Sequence, residues 1–220
     1  MRLLPTILIL TVLASFGQAQ TTFWTEDFET TPGNTASDPS MIGWNTTNTG
    51  ANSGLANLWY RSCQENGQAA NVCGAGCGSD ESLHVGSATL GDIGAAYDAS
   101  QTTNKRIESP VINCTGYNGI TLNFEYITFG EPGFDYAELM YNDGTGWTTL
   151  LSPIPVTTCC NFGVGGAACS GFNQGYWAAY TIGLPASANN NATVQIGFNW
   201  INDNSSGSDP SFAVDDIDIT

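Results

Sequence analysis

The last ten residues, Ser211 to Thr220, read SFAVDDIDIT, and the way they fit into a strand decides the fold. Phe212, Val214, Ile217 and Ile219 are core-type side chains, yet Asp215, Asp216 and Asp218 are threaded among them. Successive side chains of a strand point to opposite faces, so a regular strand puts Phe212 and Val214 on one face and Ile217 and Ile219 on the other. Two resolutions are open. Either the strand bulges between Val214 and Ile217, or a carboxylate is buried with a partner.

The identity of such a partner depends on the charge inventory. The 220 residues hold 20 Asp and Glu against four Lys and Arg, a formal net charge of −16. One of the four, Arg2, opens MRLLPTILILTVLASFGQAQ, which has the basic start, apolar run and small residues at Gly17 and Ala19 of a secretory signal peptide. Residues 1–19 are therefore expected to be removed before Gln20. The apolar run is shorter than the roughly 20 residues that span a bilayer, and no membrane insertion is expected. Only Arg61, Lys105 and Arg106 remain to pair with a buried acid. A cation from solution is the better candidate, and so acidic a chain repels nucleic acid and anionic membrane surfaces.

Seven cysteines in a secreted chain point to disulfides. Cys63, Cys73 and Cys77 fall in one Gly/Ala-rich insert near residues 63–78. Cys159, Cys160 and Cys169 fall in a second near 152–175, with Cys114 alone between them. The odd count leaves the connectivity open.

Helical periodicity is nearly absent, 26 glycines punctuate the chain, and short apolar or alternating runs recur. Strands are expected at 23–29, 57–62, 82–87, 106–113, 119–129, 135–143, 146–151, 176–184, 193–202 and 211–219. A tight turn, NDGTGW, joins two of them at 142–147. Ten antiparallel strands suit an all-β, two-sheet sandwich formed by a single domain over residues 20–220.

The order of EDFE (26–29), KRIESPVI (105–112), ITLNFEYITFG (120–130), a hairpin ending in GW (146–147), YWAAYTIGLP (176–185), VQIGFNWIN (194–202) and FAVDDIDI (212–219) resembles the core pattern of MAM-type extracellular domains. The same segments are similar to jelly-roll modules in large secreted and surface proteins of gliding-type bacteria, many of them type IX secretion cargo. The resemblance implies a two-sheet antiparallel jelly-roll β-sandwich of concanavalin-like or galactose-binding-like architecture. It also implies a structural Ca²⁺ where the first and last strands meet. The matching positions are Asp27, Glu29, Asp215 and Asp216; Asp38, in the loop after EDFE, is a further candidate ligand. Animal members carry a Cys before the opening DFE where this chain has Glu26, so their disulfides do not transfer. A sheet edge fringed with solvated acids is the competing account of the same carboxylates.

Catalytic signals are sparse. His84 is the single histidine and reads as a strand residue, and Glu125, Asp135 and Glu138 match no short glycosidase motif. Trp59 and Tyr60 place adjacent rings on opposite faces, so at least one could join a ligand-binding surface. The expectation is a secreted or cell-surface adhesion or recognition module, not an enzyme, with an extracellular protein or glycan as partner. A carbohydrate-binding module and an accessory domain of a secreted hydrolase or protease are the alternatives.

Overall fold

The computed structural model describes residues 21–29, 38–157 and 175–220. The expected signal peptide and the cysteines Cys159, Cys160 and Cys169 lie outside them. The described residues form β1 (Trp24–Glu26), β2 (Asn45–Asn48), β3 (Leu58–Ser62), β4 (Ser82–Gly86), β5 (Thr103–Glu108), β6 (Thr121–Gly130), β7 (Tyr136–Asn142), β8 (Trp147–Leu151), β9 (Ala178–Gly183), β10 (Gln195–Asn202) and β11 (Ser208–Ile219). Single turns of 3-10 helix cover Pro39–Ile42 and Ala186–Ala188.

Two antiparallel sheets result. One has the order β3-β4-β11-β6-β9 with β1 also paired to β11, and the other the order β2-β5-β10-β7-β8. Their inner faces meet through aromatic rings. Phe198 of β10 lies 5.4 Å edge-on from Phe124 of β6 and 5.1 Å from Phe212 of β11. Rings of this size bury more apolar area than any aliphatic side chain, which makes this seam the centre of the sandwich. Trp44, Trp200, Leu122, Leu139 and Ile196 complete it without exposure.

All ten expected strands are present with ends moved by a few residues. The run at 23–29 shortens most, to Trp24–Glu26, and the run at 106–113 shifts to Thr103–Glu108, stopping ahead of Pro110. Strand β2 was not expected. Its sequence, NTTN, is exposed at every position, as suits a polar sheet edge, and carries no alternation to reveal it. The 142–147 turn forms as expected, with the Asn142 side-chain oxygen accepting from the Gly144 and Gly146 amides.

The fold resolves the parity of SFAVDDIDIT by a bulge. Asp215 pairs with Glu125 and Asp218 with Asn123, so β11 advances three residues while β6 advances two. Asp216 is the extra residue, at φ 47 in the left-handed region that Asp tolerates better than bulky side chains. Phe212, Val214, Ile217 and Ile219 all reach the core.

Candidate functional site

The bulge coincides with a change of neighbour. Along one edge of β11, β4 pairs at Ala213 and Val214, whereas β1 pairs at Ile217 to Ile219. Asp215 and Asp216 therefore sit in the gap between the end of β1 and the start of β4. Three further acids enter this gap: Asp27 and Glu29, which follow β1, and Asp80, which precedes β4. A shallow depression of about 380 Å³ opens beside it, lined by Thr25, Glu26, Asp27, Asp216, Ile217 and Asp218.

Asp215 is the root of the group, only 2 % exposed, whereas Asp27, Glu29 and Asp216 reach solvent. Burial, together with Asp216, Asp80 and Glu29, pushes its carboxyl up to about 9, even though its Oδ1 accepts from the Asp216 amide at 2.8 Å. Asp80 is pushed up to about 7 by burial first and then by a hydrogen bond and charge from Glu29. Glu125, opposite Asp215 on β6, is also raised by burial and Asp216, and its Oε2 is buried without a hydrogen-bond partner. These are the shifts of carboxylates crowded together without enough positive charge.

The chain segment over the group is shaped to fit. A Cβ on Gly67 would stand 1.7 Å from Asp215 Oδ2, so only glycine lets the backbone pass here. Its neighbour Asn66 accepts from the Asp80 amide at 3.0 Å. The Cys63–Cys77 disulfide closes the loop that carries both residues. Cys73 is disulfide-bonded as well, and Cys114 is a buried free thiol.

The described basic side chains are engaged elsewhere. Lys105 donates to the carbonyls of Ala56 and Asn57, and Arg106 pairs with Glu108 and lies over the Trp147 ring. Arg61 is close to the acids yet pairs with Glu81. Carboxylate oxygens that converge without a counter-charge suit a hard cation. Among the described residues, however, no three His, Cys, Asp or Glu side chains already close to metal-binding geometry.

Other candidates fall apart from this group. Asp38 caps the 3-10 turn at Pro39–Ile42, its carboxylate accepting from the Ser40 amide at 2.9 Å. It lines a cleft of about 490 Å³ with Ser40, Asn45, Thr46, Leu58, Trp59 and Tyr60. Trp59 is a core side chain there, 5 % exposed, packed edge-on to Phe212 and donating to the Lys105 carbonyl. Tyr60 is the outward ring of the pair, half-buried, with its hydroxyl donating to the Ser87 carbonyl. His84 touches Ser82 Oγ at 3.2 Å and Asp92 Oδ1 at 2.8 Å, a series that resembles a hydrolytic triad. Ser82 and His84 are fully buried and Ser82 donates to the Glu65 carbonyl, so no substrate reaches them. Glu125 and Glu138 lie on different sheets, and Asp135 is sealed beneath Tyr97.

The fold brings together four of the sequence candidates, Asp27, Glu29, Asp215 and Asp216, and adds Asp80, which the sequence does not single out. The signal for Asp80 is an acid just ahead of the SLHVG strand, informative only once β4 is known to lie beside β11.

The fold is similar to the K1 cleaved adhesin domain of Lys-gingipain from Porphyromonas gingivalis, with a TM-score of 0.52 and 20% identity over 91% of this chain and 98% of that one. The K3 cleaved adhesin domain of the same protein gives 0.48 and 18% over 91% and 99%. At this identity the K1 likeness speaks for the fold. No protein-family model matches the chain, and no curated protein sequence does. Among the described residues no helix is long and apolar enough to cross a membrane.

Proposed function

We propose that the chain is a non-catalytic adhesion or accessory module of a secreted or cell-surface protein, a MAM-like jelly roll stabilised by Ca²⁺ at the β11 bulge. One observation carries the cation: Asp215 is buried among Asp27, Glu29, Asp80 and Asp216 while the described basic side chains pair elsewhere. Burying an unpaired carboxylate costs several kcal/mol unless it is protonated or neutralised. A divalent ion with oxygen ligands supplies the missing charge, and Asp27, Glu29, Asp80, Asp215 and Asp216 are the side chains to hold it. The adhesion reading is supported by the fold shared with a gingipain adhesin domain and by the sealing of His84. It is analogy at the level of fold, and function rests on surfaces, with an extracellular protein or glycan as the expected partner.

The test is thermal unfolding of the processed protein in EDTA and in CaCl₂. A ligand of the native state at 100 times its Kd adds about 2.7 kcal/mol. The expected result is a saturable rise in Tm that Asp216→Asn abolishes. Identical melting curves in EDTA and Ca²⁺ across neutral and alkaline pH would sink the cation.

A further inference from the structure

Arg61, on β3, is one of the largest fully buried side chains in the molecule. It lies beside the acidic group without pairing with Asp215. Its Nη1 donates to the Phe28 carbonyl at 2.8 Å and to the Glu81 carboxylate. The Glu81 amide in turn donates to Glu29 Oε1 at 2.6 Å. Glu29 is thus held twice through Arg61: along the chain through Phe28, and across the gap through Glu81.

The backbone at this point needs holding. Phe28 is fully buried with φ 57, a left-handed conformation that is costly for a bulky residue and persists only where its surroundings fix it. The ring packs 5.5 Å from Trp44, whose indole donates to Glu26, and Glu26 also accepts from the Phe28 amide. These contacts secure the ring and the amide of Phe28. Arg61 secures its carbonyl, and so the direction in which the chain leaves toward Glu29.

We infer that Arg61 is a positioning residue for the cation site: through the Phe28 carbonyl and Glu81 it sets the Glu29 carboxylate against the β11 bulge, touching no cation itself. This rests on the Ca²⁺ reading above. A guanidinium suits the role because it offers several donors in a fixed plane, whereas an ammonium is a point charge on a flexible stem. The arrangement also explains why an arginine stands next to unpaired carboxylates without neutralising them: its charge is taken by Glu81.

The test is calorimetric titration of the processed protein with CaCl₂, comparing wild type, Arg61→Lys and Glu81→Gln, with melting in EDTA measured in parallel. Expected is a loss of Ca²⁺ affinity of at least about fivefold in Arg61→Lys and a smaller loss in Glu81→Gln, a coupling of the usual size for linked sites. A merely structural Arg61 lowers Tm in EDTA and leaves the Kd of the folded variant unchanged, which overturns the proposal. Glu81→Gln keeps the packing of the pair and carries the test if Arg61→Lys does not fold. Wild-type protein that takes up no Ca²⁺ removes the cation reading itself, and that result is separate from variants binding as tightly as wild type.

Discussion

Two acidic groups lie along β11, and they differ in their donors: side-chain hydroxyls serve one, whereas the acids of the other accept from the backbone amides of Asp216, Glu29 and Glu81. Near the start of the strand, Asp135, Asp209, Asp203 and Glu131 are each hydrogen-bonded to the protein. Asp135 accepts from the Tyr97 hydroxyl at 2.6 Å and the Asp203 amide at 3.1 Å. Asp209 accepts from the Tyr97 amide, Asp203 from Ser205, and Glu131 from Ser206. Six residues further on, the Asp215 group is surrounded mainly by other acids. Both groups adjoin irregular stretches of the same strand, between Ser208 and Phe212 and between Asp215 and Asp218. Acidity and bulging are therefore common to the two. Hydroxyl donors separate a saturated structural network from the group at which the cation is proposed.

The largest expected effect breaks the saturated side. Asp135 has no solvent exposure, and Asp135→Ala leaves the buried Tyr97 hydroxyl and the Asp203 amide without their acceptor. The expected loss is about 3 kcal/mol in urea unfolding, the same in EDTA as in Ca²⁺. A loss that Ca²⁺ enlarges or erases would mean that this group also holds a cation, and the contrast would fail.

A smaller effect sharpens the contrast through pH. Asp215 is held at about 9 and Asp80 at about 7 in the folded protein, both above the unfolded value near 3.9. A carboxyl raised in this way keeps its proton in the native state after the unfolded chain has lost it. Its contribution to stability is full below the unfolded pKa and is lost as pH rises through the folded one. In EDTA, stability should therefore fall between about pH 4 and pH 9. One fully shifted carboxyl would give about 4 kcal/mol from pH 5 to pH 8; acids that share protons near water warrant about 1–2 kcal/mol. Asp215→Asn should flatten the slope above pH 7. A wild-type profile level from pH 5 to pH 8 in EDTA would show that the cluster is solvated after all. Asp209, pushed up to about 6 by burial, contributes a decline with the same sign that ends near pH 6.

Much of this was legible in the sequence because it is local. The alternation of TLNFEYITF marks β6, the turn residues of NDGTGW mark the β7–β8 hairpin, and the broken parity of SFAVDDIDIT marks the place where a bulge was one of two open resolutions. What escaped reading depends on contacts between distant segments. Asp80 joins the cluster only because β4 and β1 share one edge of β11, and Arg61 acts through Phe28, 33 residues away. Scarcity of basic residues suggests that a buried Asp has few cationic side chains to pair with, and the described ones pair elsewhere. It did not reveal that an arginine would stand nearby with its charge already taken. Trp59 and Tyr60 oppose each other as their period-two pattern requires, but which of them turns inward is set by the second sheet, where the Lys105 carbonyl of β5 accepts from the Trp59 indole.

The smallest effect concerns Asp38, which its place in the loop after EDFE made a further candidate ligand. Its carboxylate caps a four-residue 3-10 turn through the Ser40 amide, and it lines the cleft beside Leu58 and Tyr60 rather than the depression beside Asp216. An exposed cap on so short a helix is worth the low end of the usual range, so Asp38→Ala should cost about 0.5 kcal/mol. Its Ca²⁺-induced rise in Tm should equal that of wild type, because the Asp38 carboxylate is engaged by the Ser40 amide and lines a different depression. A rise reduced as far as in Asp216→Asn would move Asp38 into the cation shell, which requires the segment after β1 to bring its carboxylate across to β11 at the expense of the cap. The comparison of the two acidic groups would then need a third kind of acid, one whose internal donor yields to the cation.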